Sequence, residues 1–173
     1  SFEQVETLFH EFGHALHGLL SDAQYPSLSG TSVTRDYVEF PSQMMENWAR
    51  EPEVMRTFAK HYKTGETIPD DLLKKISAAG TFNEGFATTE YVAAAHLDMA
   101  FHTSKETIKD VDLFEDSALE ELGLIPEIES RYRSTYFGHI FAGGYSSGYY
   151  SYLWTEVLEA DAFDAFKENG LFH

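Results

Sequence analysis

Apolar residues recur at helical spacing from the first residues onward. Val5, Leu8, Phe9, Phe12, Leu16, Leu19 and Leu20 follow the i, i+3, i+4, i+7 register of a one-faced helix. The pattern predicts a helix over 2–20. Gly13 and Gly18 weaken it, since each costs about 1 kcal/mol relative to Ala in an exposed helix interior. A glycine at 13 makes sense where another backbone or a ligand comes close. Residues 21–35, rich in Ser, Thr, Gly and Pro, read as a loop. A second helix is predicted over 36–50, with Pro41 disturbing its first turn. Pro52 interrupts the chain, and 53–63 reads as a short helix. A turn at 65–69 leads to a helix ending near Ala79, capped by Asp70 or Asp71. After a break at 80–85, residues 86–102 are apolar on most sides and predict a buried helix. A short acidic helix over 112–122, stopped by Gly123 and Pro126, precedes one over 127–137. Beyond the turn at Gly143 and Gly144, the last helix is predicted from Tyr145 to Phe166. Val and Ile are sparse and nowhere alternate over a long run, so the fold class is all-α.

Composition narrows the function. With 173 residues and 43% hydrophobic content the chain can bury the core of one domain. A net charge of −17 argues against nucleic acid or an anionic membrane surface as partner. No run of about 18 apolar residues exists, so no membrane-spanning helix is expected. The chain has no cysteine. Any metal must therefore be held by histidines and carboxylates.

The chemistry begins at His10-Glu11-Phe12-Gly13-His14, an H-E-x-x-H motif inside the first predicted helix. Residues i and i+4 share a helix face, so His10 and His14 can grip one ion. Glu11 lies beside them and can reach a water on that ion. A catalytic zinc takes three protein ligands and keeps one position open. The plan with a third histidine further along the same segment fails, because its positions hold His17 and Leu20. His17 is poorly placed around the helix to converge with His10 and His14. The remaining plan is a glutamate on a second helix packed across the first, with Glu39, Glu46 and Glu51 as candidates. Glu6, four residues before His10, and Asp36, three before Glu39, are candidates to hold the ligands from behind.

The strings His10-Glu11-Phe12-Gly13-His14-Ala15-Leu16-His17, Gly30-Thr31 and Asp36-Tyr37-Val38-Glu39-Phe40-Pro41-Ser42-Gln43 resemble the thimet oligopeptidase and peptidyl-dipeptidase family. The resemblance implies that one Zn2+ is bound by His10, His14 and Glu39, with Glu11 as general base. It also implies a zincin-type core in which the H-E-x-x-H helix packs against the Glu-bearing helix. The implied substrates are short peptides.

Six of the ten tyrosines fall between Tyr132 and Tyr152. Tyr145, Tyr149 and Tyr152 would line one face of the last predicted helix. A purely structural stripe would use Phe or Leu, because a buried hydroxyl needs a partner. Hydroxyls aimed at a reacting carbonyl would stabilise its developing charge. The segment His139-Ile-Phe-Ala-Gly-Gly-Tyr145-Ser-Ser-Gly-Tyr-Tyr-Ser-Tyr152-Leu-Trp resembles the same family. The resemblance assigns substrate contact and stabilisation of the tetrahedral intermediate to His139, Tyr145 and Tyr152. Gly-Tyr-Ser-Ser-Gly-Tyr-Tyr is closest in wording to the dipeptidyl carboxypeptidase branch, as are Phe82-Asn-Glu-Gly-Phe86 and Leu97-Asp98-Met99. Release of C-terminal dipeptides is therefore expected. The alternatives are an oligoendopeptidase of the same family and a zinc-binding helical region without activity of its own. His96 and His102 read as structural or surface residues, and His61 and His173 carry no site role. The chain is expected to be a single catalytic subdomain over 1–173, cut at both ends from a longer protein. Its expected location is cytoplasmic, with the periplasm as the alternative.

Overall fold

The computed structural model describes residues 1–125 and 127–172. Pro126, the expected stop of the acidic helix, and His173 lie outside the described residues. By packing, the chain divides into two compact units: Ser1–Thr81 together with the segment from Ser151 onward, and Phe82–Tyr150. The described residues are helical apart from loops, turns and one isolated bridge between Lys60 and Thr67.

The first unit is built on α1 (Phe2–Leu19), α2 (Arg35–Val38), α3 (Phe40–Arg50), α4 (Pro52–Phe58), α5 (Asp70–Ala79) and α9 (Ser151–Asn169). α3 packs on α1 along one side and on α9 along another. The contact between α1 and α3 depends on Gly13. A Cβ there would lie 2.5 Å from both the Pro41 carbonyl oxygen and the Ser42 Cα, far inside van der Waals contact. Gly30, in the left-handed region at φ 55, brings the loop back against Gly18, whose Cα would lie 3.1 Å from a Cβ at 30. Between α3 and α9, Trp48 meets Phe163 and Phe166 edge-on, with ring centroids 5.0 and 4.9 Å apart. Its indole N–H donates to the Leu171 carbonyl at 3.2 Å. Phe163 is buried, and a buried side chain of that size is worth roughly 1.5–3 kcal/mol.

Three expectations change in this unit. The helix over 36–50 is two helices, with Glu39 at the junction. Pro41 has no N–H to continue the ladder, and the next helix starts with Gln43 N–H donating to the Glu39 carbonyl at 2.9 Å. The helix over 53–63 ends at Phe58. The chain then doubles back through Gly65 at φ 74, with His61 N–H bonded to the Glu66 carbonyl and Ile68 N–H to that of Ala59. Asp70 opens α5 from inside its first turn rather than capping it; its carboxylate instead accepts from Arg56 at 2.8 Å.

The second unit contains α6 (Glu84–Thr103), α7 (Val111–Glu120) and α8 (Gly138–Phe141). Ala93, Ala94 and Leu97 have no exposed surface, as the apolar run over 86–102 predicts. Asp110 caps α7 by accepting from Leu113 N–H at 3.0 Å. The helix expected over 127–137 does not form; the described part of the segment is irregular, apart from a 3-10 turn at Ser134–Tyr136. A buried carboxylate replaces the helical ladder. Glu115 of α7 accepts from the Ser134 N–H at 2.8 Å and its hydroxyl at 2.6 Å, and Arg133 Nε stands 3.0 Å from the other oxygen. The helix expected from Tyr145 begins only at Ser151. Residues 145–150 form turns, so Tyr145, Tyr149 and Tyr152 do not share one helix face.

Candidate metal centre

His10 and His14 lie one turn apart on α1, and Glu39 faces them from the junction of α2 and α3. One ligand atom from each lies within 4.8 Å of the others. The imidazole Nε2 atoms of His10 and His14 stand 3.3 and 3.2 Å from the same Glu39 carboxylate oxygen. Glu39 is buried, with 1% of its surface exposed. The Ser42 hydroxyl, one turn along α3, donates to that oxygen at 2.9 Å and to the Glu39 carbonyl at 2.8 Å.

The back of the site is held by Glu46. Its carboxylate takes the His10 Nδ1–H at 2.7 Å. A proton fixed on Nδ1 leaves the Nε2 lone pair of neutral His10 facing a carboxylate oxygen, an arrangement that calls for a positive centre. In the metal-free chain a second proton supplies it. Burial works against the charged imidazole, but the hydrogen bonds to Glu39 and Glu46, together with their charges, hold the His10 pKa up at about 9. A divalent cation meets the same need. Two imidazoles and one carboxylate also form the nitrogen and oxygen donor set that zinc takes. These residues therefore fit the metal that the motif implies. They could hold it through His10, His14 and Glu39.

The other sequence-derived residues fall as follows. Glu11 is exposed on α1, next to His10. Glu46, one of the three candidate glutamates, faces the Nδ1 side of His10 rather than joining the His10, His14 and Glu39 cluster. Glu6, expected behind His10, pairs with Arg50 Nε at 2.6 Å; burial pushes its carboxyl up, with Arg50 opposing. Asp36 sits in the first turn of α2, half-buried. His17 stands outside the cluster and faces Tyr37 at 6.3 Å between ring centroids. Tyr152 lies in the first turn of α9, where its backbone carbonyl accepts from Gln43 at 3.1 Å. His139 and Tyr145 belong to the second unit, with ring centroids 6.2 Å apart. There His139 also faces Tyr132 and Tyr149 at 5.0 and 5.6 Å. Tyr149 is buried in this aromatic cluster, and burial, reinforced by Tyr132, raises its hydroxyl pKa. His102 lies against Asp98.

Sequence reasoning missed Glu46 and Gln43 as supports. Glu46 lies seven residues after Glu39, two helical turns on, and so shares its face. That spacing was the available signal.

An H-E-x-x-H helix packed across a separate glutamate-bearing helix is a zincin-like arrangement. The chain belongs to peptidase family M3, whose family model matches residues 1–173. It is 49% identical over 172 residues to the dipeptidyl carboxypeptidase of Escherichia coli (strain K12), covering 98% of this chain and 25% of that protein. It is 44% identical over 177 residues to the probable cytosolic oligopeptidase A of Arabidopsis thaliana, covering 99% and 25%. Against oligopeptidase A of E. coli (strain K12) it is 41% identical over 174 residues, covering 99% and 26%. The chain thus spans about a quarter of the length of these relatives. No helix among the described residues is long and apolar enough to cross a membrane.

Proposed function

We propose that this chain is the catalytic region of a zinc-dependent peptidase that acts on short peptides and releases dipeptides from their C-termini. The observation that carries the reading is the convergence of His10, His14 and the buried Glu39 within 4.8 Å, with Glu11 beside them, in a chain matched throughout by the M3 family model. A site that only held zinc for stability would need no Glu11.

The proposed ligands are His10, His14 and Glu39, oriented by Glu46 and Ser42. When bound, zinc would act as a Lewis acid on the attacking water and the scissile carbonyl. Glu11 removes the proton from that water as it attacks and delivers it to the leaving amine. His139, Tyr145 and Tyr152 are the proposed substrate-binding groups, whose N–H and O–H donors stabilise the oxyanion of the tetrahedral intermediate. Their assignment rests on the family resemblance of the 139–154 string and on their donor chemistry.

The preference for C-terminal dipeptides rests on that same wording and on the 49% identity to a dipeptidyl carboxypeptidase. The second reading, an oligoendopeptidase, draws on the 41% identity to oligopeptidase A. A third is a zinc-binding region that does not turn over peptide by itself. We place the protein in the cytoplasm, with the periplasm as the alternative.

Metal analysis together with cleavage of quenched fluorescent peptides tests these readings. About one zinc per chain and cleavage only of peptides with a free C-terminus is the expected result. Cleavage of C-terminally blocked peptides at equal rate would favour the oligoendopeptidase. Stoichiometric zinc without cleavage would leave the third reading.

A further inference from the structure

Asp98 lies within α6 with no exposed surface. A buried carboxylate persists only where it is paired and hydrogen-bonded. One oxygen of Asp98 accepts the Ser147 N–H and the other the Tyr149 N–H, each at 2.9 Å. The His102 Nδ1, one turn further along α6, stands 2.8 Å from the first oxygen and 2.9 Å from the Asp98 carbonyl.

The segment so gripped contains left-handed backbone. Ser147 is held at φ 54 and Gly144 at φ 81. Glycine takes such values freely, whereas serine is strained there. The rest of the turn is tied on either side of the carboxylate. Tyr145 N–H donates to the His139 carbonyl at 3.0 Å and Gly148 N–H to the Tyr145 carbonyl at 2.8 Å. Tyr149 is fixed from both ends of its backbone: Asp98 takes its N–H, and the Tyr91 hydroxyl donates to its carbonyl. Removing the carboxylate would take an acceptor from both amides and release the strain at Ser147, and Tyr145 would move with the turn.

We infer that Asp98 is a positioning residue for peptide hydrolysis: by clamping the Ser147 and Tyr149 amides it sets the direction in which Tyr145 and His139 present their donors to substrate. This rests on the proposed substrate role of Tyr145 and His139. A displacement of about 1 Å at such a group can lower turnover about a hundredfold. His102 keeps the carboxylate in its gripping rotamer.

The test uses the natural full-length protein and its Asp98→Asn and His102→Ala variants. Three quantities are read: zinc content, kcat and KM on a short fluorogenic peptide, and hydrogen exchange at the Ser147 and Tyr149 amides, with Leu97 as internal reference. Asp98→Asn should keep zinc, speed exchange at Ser147 and Tyr149 about tenfold or more while sparing Leu97, and lower kcat about tenfold or more at full zinc occupancy. His102→Ala should do the same more weakly, and it decides the matter if Asp98→Asn does not fold. Adding Ser147→Gly to Asp98→Asn should recover part of kcat, because glycine holds φ 54 without strain. Unchanged exchange at Ser147 and Tyr149 overturns the inference. So does faster exchange with kcat and KM unaltered in an active parent, which would reduce Asp98 to holding the fold while the peptidase reading stands. A parent protein that binds zinc but cleaves no peptide defeats both readings at once.

Discussion

The side-chain amide of Gln43 donates to the backbone carbonyl of Tyr152 at 3.1 Å. The Gln43 carbonyl in turn receives the hydroxyl of Thr155. Gln43 lies one turn beyond Glu39, so the helix that Glu39 opens is pinned directly to the helix that carries Tyr152. Gln43→Leu would remove both bonds at a buried point and leave the Tyr152 carbonyl and the Thr155 hydroxyl each with one partner fewer. We expect a loss of about 1–3 kcal/mol, read from urea unfolding of the zinc-loaded protein. A midpoint equal to that of the parent would mean that water replaces the amide there.

Glu46 and Glu6 make opposite predictions although both are acids near His10. Glu46 holds the His10 Nδ1–H at 2.7 Å, so Glu46→Gln should weaken zinc binding about 10- to 100-fold. Glu6 is engaged with Arg50, and Glu6→Gln should leave zinc affinity within about twofold of the parent. Competition with a chromophoric chelator measures both. Equal losses would show that the two carboxylates act through shared charge rather than through the hydrogen bond.

Glu11→Gln keeps the shape of the side chain and removes its basicity. Zinc content should be unchanged, while kcat falls by about 10²–10⁴, the range for a general base. Retention of most activity would move the proton transfer to another group.

The pH response should change with metal occupancy. In the metal-free chain the His10 pKa is raised from 6.5 to about 9. The folded state therefore binds this proton more tightly than the unfolded chain does. Its stabilising contribution is complete below pH 6.5 and disappears as pH rises through 9. Urea midpoints in the presence of a chelator should fall over that interval. Zinc must displace the same proton, so its affinity should rise over the interval. A metal-free midpoint that climbs from pH 6.5 to 9 would contradict the pairing of His10 with Glu39 and Glu46.

Gly13→Ala tests the packing beneath the site. Its Cβ would stand 2.5 Å from the Pro41 carbonyl oxygen and the Ser42 Cα, and backbone cannot rotate away as a side chain can. The helices must separate, at a cost of about 1–3 kcal/mol, with a fall in zinc affinity. Calorimetry with and without zinc separates the two effects. Gly18→Ala serves as the control, because nothing lies within 4 Å of a Cβ there.

Local signals made the cluster of His10, His14 and Glu39 legible: a four-residue histidine spacing and a family string around Glu39. The buried helix at Ala93–Leu97 was equally plain from its composition. Other parts were decided by carboxylates distant in sequence. Glu115 draws the Ser134 backbone out of the helix expected over 127–137, and Asp98 does the same for Ser147 and Tyr149. A helical periodicity cannot reveal that a buried acid elsewhere will claim its N–H groups. Glu46 was visible as an acid near the motif. Its bond to His10 was not, because a carboxylate on the Nε2 side and one on the Nδ1 side differ by their place across the helix pair and not by residue type.

The meeting of Gly13 with Pro41 and Ser42 has a practical side. Main chain rests on main chain there, so the spacing of α1 and α3 does not depend on the bulk of any side chain at that point. Leu8, Phe12 and Leu19 are well exposed on α1, where a side chain has bulk that can be trimmed. Glycine, by contrast, has nothing left to trim, so redesign for a different ion can widen the gap between these helices but cannot narrow it.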